Sequence, residues 1–249
     1  MAKHHRHTSS GDEQRTAAAP EQEAKPTNND KRSRTEPSMP PGAKVNSRKH
    51  DGFYLRMSFG FGALLGTWSP ASSSTDNLVG LTEHYELALG GTPIPGLVIG
   101  GGLFGVIAGS PMYGFTTRGV NINIAGGSIY SEIIGPFVDV YPKPSRGFHF
   151  MAALGPAGIS ESSGGTERLC YRNPPGCESV STPSTPYSGV GVGFVAGVGY
   201  EAFVADHWSI GGIVRIMYTY GNLSPNNRSE PDAALSSFTP GLMFGATFQ

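Results

Sequence analysis

From Ser188 to Asn222 the chain reads SGVGVGFVAGVGYEAFVADHWSIGGIVRIMYTYGN, with an apolar residue at nearly every second position. Val190, Val192, Phe194, Ala196, Val198 and Tyr200 share one parity, and the glycines at 189, 191, 193, 197 and 199 share the other. A period of two is the mark of a strand with two unlike faces. The same pattern recurs from residue 53, where Phe53, Leu55, Met57, Phe59, Phe61, Ala63 and Leu65 alternate with Tyr54, Arg56, Ser58, Gly60, Gly62 and Leu64. It recurs in HWSIGGIVRIMYTYG, where Trp208, Ile210, Val214, Ile216, Tyr218 and Tyr220 share a face with Gly212. The last stretch places Phe238, Leu242, Phe244, Ala246 and Phe248 opposite Thr239, Gly241, Met243, Gly245 and Thr247.

Eight such segments are predicted, over approximately 52–66, 80–91, 96–109, 128–141, 147–160, 188–204, 207–221 and 236–248. The third, VIGGGLFG, has no clean alternation, and Gly135-Pro136 in the fourth predicts a bulge or kink. Short connections follow segments two, four and six, and longer ones follow one, three, five and seven. An even up-and-down barrel collects its short turns at one end and its long loops at the other, which is the plan of an outer-membrane barrel. The predicted class is therefore all-β, an eight-stranded antiparallel up-and-down transmembrane barrel over residues 51–249. Residues 1–50 precede it as a polar, basic tail with too few apolar side chains to offset its ordering entropy, and they are expected to be disordered.

Charge sharpens this division. The tail holds 10 of the 18 Lys+Arg and 6 of the 19 Asp+Glu, leaving a lysine-poor, mildly acidic body. The net charge of −1 suggests no nucleic-acid partner. A soluble surface would carry many Lys and Glu, yet no lysine follows Lys143. The continuous apolar face fits lipid, and the small, sparsely charged face fits a narrow, filled lumen. Charges on that inner face must meet each other. The candidates are Arg56, Glu86, Glu201 and Arg215, with Glu132 and His149 as further members whose face the pattern leaves open. Such a network would serve either as a plug or as an ion path.

Aromatic residues mark two ends of the predicted strands. Phe53, Tyr141, Phe148, Trp208 and Phe248 lie by the short turns, and Trp68, Tyr218 and Tyr220 lie by the long loops. Two interface belts are expected of a bilayer barrel. Cys170 and Cys177, in ERLCYRNPPGCES, form a candidate disulfide, with two free thiols as the alternative. The two cysteines lack the further ligands a metal site needs; HHRH at His4–His7 could bind a metal weakly, with a solvated basic tail as the alternative, and no cofactor is expected.

With these residues in view, residues 51–249 resemble the small eight-stranded outer-membrane barrels of Gram-negative bacteria, the OmpA/OmpX-like group. HDGFYLRMSFGFG, GYEAFVADHWSIGGIVRIMY and the terminal FTPGLMFGATF carry the resemblance. It implies an outer-membrane location, lipid as the surrounding partner, a monomer, and recognition of the C-terminal strand by the barrel assembly machinery through Phe248. The chain departs from the pattern by ending one residue later, at Gln249, and its first residues lack the apolar core of a secretory leader. The expectation is that the true start lies upstream.

The leading functional reading is a non-enzymatic outer-membrane protein with a closed or narrow polar lumen, serving envelope integrity or surface contact. A lipid-modifying enzyme would need a rim site, for which His84 with Glu83 or Glu86, and Ser72–Ser74 or Ser131, are the candidates. His149 and His207 lie at the short-turn side. A soluble lipocalin-like barrel would need the two faces inverted. GGGLFG at Gly100–Gly105 formally fits a dinucleotide fingerprint but lacks the helix that must follow it.

Overall fold

The structure is a computed structural model. It describes residues 50, 52–71, 75–117, 120–125, 127–162, 165–172, 175–182, 186–226 and 231–249. The expected tail, apart from His50, lies outside the described residues.

Twelve antiparallel strands are present among the described residues. Eight form the ring: β1 (Gly52–Pro70), β2 (Asp76–Ile94), β3 (Leu97–Gly109), β6 (Ser128–Val140), β7 (Phe148–Ser162), β10 (Tyr187–Phe203), β11 (Trp208–Pro225) and β12 (Ala233–Phe248). Each pairs with its sequence neighbour in the ring, and β1 pairs with both β2 and β12, which closes it. Closure matters because it pairs the backbone groups that hydrocarbon cannot satisfy. The other four strands build two hairpins in the long loops, β4 (Met112–Thr117) with β5 (Val120–Ala125), and β8 (Gly165–Arg172) with β9 (Pro175–Thr182). β4 adds to β2 beyond the end of β3, and β5 pairs with β8, so the sheet continues outward past the ring. The eight ring strands correspond to the eight predicted segments; the loop hairpins are additional.

The predicted disturbance at Gly135-Pro136 takes another form. β3 and β6 stay in one continuous register. Between β6 and β7 the pairing is interrupted at 134–136 but resumes without a shift, from Ile133↔Ala157 to Phe137↔Ala153. That register sets Gly135 opposite Gly155, with a proline following each. The prolines have no N–H to give to the ladder. The glycines allow close backbone approach instead, since a Cβ on Gly135 would lie 2.1 Å from the Leu154 carbonyl oxygen.

The two faces separate as the period demands. Phe59, Phe61, Leu81, Leu154, Val192, Val214 and Phe244 point outward and are exposed, forming an apolar belt. Inside, Phe104, Val106, Ile133, Phe137 and Met151 fill the β3–β6–β7 side. At the long-loop end Leu64, Trp68, Leu78, Ile159, Tyr187, Leu223 and Leu235 close the interior. Trp68 packs edge-on against Tyr187 at 5.0 Å. Small inward residues make room for large ones from other strands. A Cβ on Gly193 would lie 2.3 Å from Ile133, and one on Gly62 would meet both the Pro240 carbonyl oxygen at 2.2 Å and His84 Nε2 at 2.5 Å. Gly62→Ala is therefore expected to destabilise the barrel by about 1–3 kcal/mol through overpacking. Urea unfolding of the refolded variant in lipid measures it, and an unchanged midpoint would contradict the packing described.

Candidate functional site: the charged lumen

Alternation along six strands aims a set of polar side chains at one level of the interior. β1 supplies Tyr54 and Arg56, β2 supplies Thr82, His84 and Glu86, β6 supplies Asp139, β7 supplies His149, β10 supplies Glu201, and β11 supplies Ser209 and Arg215. Arg56 and Arg215 are 1% and 0% exposed, so neither charge is shared with bulk water. Burial of this kind demands partners for every ion.

Arg56 sits at the centre. Its Nε donates to Glu86 Oε1 at 2.6 Å, and its Nη1 donates to Asp139 Oδ2 at 2.5 Å. Its Nη2 rests 3.2 Å from the Met151 sulfur. Tyr54 Oη donates to the same Asp139 oxygen at 3.1 Å, and His149 Nδ1 is 2.8 Å from Asp139 Oδ1. Glu201 accepts from Ser209 at 2.6 Å and from Thr247, on β12, at 2.9 Å, and lies 3.8 Å from His149 Nε2. Arg215 reaches Glu86 Oε2 at 3.5 Å and donates to the carbonyl oxygens of Tyr85 and Gly105.

The Arg215 contact with His84 fixes a tautomer. Arg215 Nη2 lies 2.9 Å from His84 Nδ1. A guanidinium only donates, so Nδ1 accepts and His84 is neutral, with its Nε2 proton given to Thr82 Oγ1 at 2.8 Å. Above this level Thr219 Oγ1 pairs with Ser237 at 2.6 Å and with Ser131 at 3.5 Å, and then the apolar closure begins.

Arg56, Glu86 and Arg215 thus form one cluster. Glu201 stands beside it, joined through His149 and Asp139. Asp139, His84 and Tyr54 are the members missing from the expected network. Asp139 shares its parity with Ile133 and Phe137, so continuing the period through Gly135-Pro136 would have found it.

Three placements correct the sequence reading. Glu132 does not join the lumen: it faces outward, where its Oε2 meets the hydroxyls of Tyr130 and, at 2.8 Å, Tyr85. The Tyr85 ring lies across Gly105, whose missing side chain leaves the space. Trp68 and Tyr141 are not outer-face aromatics, being 8% and 2% exposed and turned into the barrel. Trp68 falls on the inward parity of β1, and Tyr141, one residue past β6, continues the inward parity of Phe137 and Asp139, which outweighs their position near a strand end. Phe53, Phe148, Trp208 and Phe248 lie on the outer face at the short-turn end, with Phe248 between Phe53 at 6.2 Å and Trp208 at 5.3 Å. Tyr218 and Tyr220 lie outward at the long-loop end.

The candidate enzyme residues do not converge. His84 and Glu86 face the lumen, Glu83 faces outward, Ser131 is buried near Thr219, and Ser72–Ser74 lie outside the described residues. His207 Nδ1 bonds the Gln249 carbonyl oxygen at 2.8 Å, at the short-turn end. Among the described residues no group of three or more His, Cys, Asp or Glu is placed to hold a metal. The side chains of Cys170 and Cys177 are outside the described residues, but the backbone register sets the two directly opposite each other across β8 and β9.

No protein-family model matches the sequence, and no curated protein does. Solved structures do. Ail, the attachment invasion locus protein of Yersinia pestis, aligns at 13% identity over 78% of this chain and 99% of its own, with a TM-score of 0.34. The outer membrane protein OprG of Pseudomonas aeruginosa aligns at 12% identity over 81% and 99%, with a TM-score of 0.43. The outer membrane protease OmpT of Escherichia coli aligns at 9% identity over 80% and 97%, with a TM-score of 0.49. At such identities it is the chain's own geometry that carries the assignment. A ring without a free edge can cross hydrocarbon, and this one has an apolar belt, aromatics at both ends of it, short turns at one end and long loops at the other. The chain has the fold of an eight-stranded β-barrel of the outer-membrane type, closed and with an apolar exterior.

Proposed function

We propose that this protein is a non-conducting outer-membrane barrel whose work is done by the β-structured loops at its extracellular end, as a surface-contact or envelope element. The observation that carries the reading is the interior. The buried lumen charges are committed to one another, and Leu64, Trp68, Leu78, Leu223 and Leu235 fill the space between them and the long loops. An ion would have to break the first set and cross the second. The β2–β4–β5–β8–β9 extension gives the loops a shared frame. The absence of a converged His–Ser or His–carboxylate pair at the rim, among the described residues, weighs against a lipid-modifying enzyme. The outward Phe248, set between Phe53 and Trp208, supports recognition of the last strand by the assembly machinery.

Planar-bilayer recording of the refolded full chain tests the reading. The expected record is flat, with no steady single-channel steps; a reproducible open level would overturn it. The register of β8 and β9 supports a Cys170–Cys177 disulfide in the oxidising envelope. Thiol labelling of protein unfolded without reductant is expected to find no free thiol, and two labelled thiols would count against the bridge.

A further inference from the structure

A residue two positions before β1 is built into the barrel's periplasmic mouth. His50 is 0% exposed. Its N–H donates to the Pro144 carbonyl at 3.0 Å, and its own carbonyl accepts from Gly96 N–H at 3.1 Å, so it ties together the β6–β7 and β2–β3 turns. Its ring stacks on Tyr141 at 3.7 Å and approaches Phe203 at 4.8 Å. On the far side of this group Tyr141 stacks with His149 at 4.9 Å. His50 Nδ1 lies 2.7 Å from Gln249 Oε1. Gln249 is itself held by His207, through the Gln249 N–H to the His207 carbonyl at 2.9 Å and His207 Nδ1 to the Gln249 carbonyl. The extra residue after Phe248 therefore has a job: its amide holds the start of the barrel to the end.

This seat accepts only the neutral ring. An amide oxygen accepts, so Nδ1 carries the proton. Nε2 is buried with no hydrogen-bond partner among the described residues. A second proton there would be a buried N–H donor, on a cation, with nothing to receive it. Among the described residues the charged and titratable groups around the seat are Glu201 from β10, Asp139 and Tyr141 from β6 and its turn, and His149 from β7. Gln249, just past β12, contributes its uncharged side chain and is held by the titratable His207; the β6–β7 turn that bonds His50 carries Lys143 and Arg146, and the β2–β3 turn, 92–97, has no titratable side chain. Glu201 is engaged by Ser209 and Thr247, and Asp139 by Arg56, Tyr54 and His149.

We propose that His50 is a proton-operated latch: neutral, it seats in the periplasmic mouth and ties the β2–β3 and β6–β7 turns to Gln249; protonated, it leaves the mouth and releases that tie. Burial supports the sign. It outweighs the Glu201 charge and holds the imidazole below its ordinary value. A group with a lowered folded value and a histidine's charge contributes stability that is present above about 6.5, the unperturbed value, and lost as pH falls through the lowered one.

The test is a spin label at position 49, introduced as Lys49→Cys in a Cys170→Ser, Cys177→Ser background of the full chain in lipid vesicles. Folding is checked at each pH by the migration of the unboiled band. The native latch is expected to restrain the label at pH 8 and release it on acidification, with a midpoint below that of free histidine. His50→Phe keeps a ring on Tyr141 without a titrating group, and the label should stay restrained throughout. If that variant does not fold, Gln249→Leu, which removes the Nδ1 acceptor, should leave the label mobile already at pH 8. A label whose mobility does not change with pH in the native protein would overturn the proposal. So would release in His50→Phe over the native pH range, or a restrained label in Gln249→Leu at pH 8.

Discussion

Arg56→Met is expected to destabilise the folded barrel by about 3–5 kcal/mol, the usual consequence of removing one partner from a buried ion set. The methionine side chain is apolar and of similar reach, so packing is largely kept. What is lost is the cation between Glu86 and Asp139, at 2.6 and 2.5 Å. Two carboxylates would then face each other in a buried interior, with Arg215, 3.5 Å from Glu86, left as the cation beside them. Urea unfolding in lipid vesicles, followed by the loss of the fast-migrating unboiled band, gives the number. The pattern of rescue is more telling than the loss. Adding Glu86→Gln and Asp139→Asn to Arg56→Met removes the stranded charges and should recover much of the stability. A triple variant no better than Arg56→Met would mean that Arg56 acts through its shape and not through its charge. A variant Arg56→Met as stable as the native protein would remove the lumen network from the description altogether.

The second large effect lies on the opposite face. Val214 points outward from β11, is 63% exposed, and sits midway between Trp208 and Tyr218–Tyr220. Val214→Arg is expected to cost about 2–4 kcal/mol, the penalty for a cation at the bilayer midplane of a barrel. Ser236→Arg, at the long-loop end on the same outward parity, should cost about 0–1 kcal/mol, because an interfacial cation reaches water. The depth dependence is the point. A barrel with water outside would tolerate both substitutions alike. Equal costs at the two positions would therefore contradict a lipid-facing exterior.

Much of this was legible because a half-buried strand has only one period. The alternate positions from Phe53 to Leu65, from Val190 to Tyr200 and from Trp208 to Tyr220 take one face, so the positions between them take the other, which puts Arg56, Glu201 and Arg215 inside. The alternation of short and long connections then ordered the strands around a ring. Near strand ends, position and parity point different ways, and parity wins. Tyr141 and Trp68 lie near strand ends, as belt aromatics do, but their parity turns them inward. Glu132 is charged, and charge suggests the lumen. Its neighbours in the period, Tyr130 and Ile134, face outward, and two tyrosine hydroxyls make the carboxylate tolerable there. Asp139 was hidden behind Gly135-Pro136, which looks like a break yet leaves the register intact. The loop hairpins have weaker signals. Six-residue strands such as β4 and β5 are fixed by pairing with β2 and β8, contacts distant in sequence that no local pattern announces. The seat of His50 depends on three separate turns and the last residue, which is why a short polar stretch before β1 gave no hint of it.

The most direct test of a closed, lipid-facing barrel is the refolding of the full chain into lipid vesicles, followed by an SDS gel of boiled and unboiled samples. The ring predicts an unboiled band that migrates apart from the boiled one, and that appears only when lipid or detergent was present during refolding. A single band under both conditions, from a chain that folds and stays in solution without lipid, would contradict it.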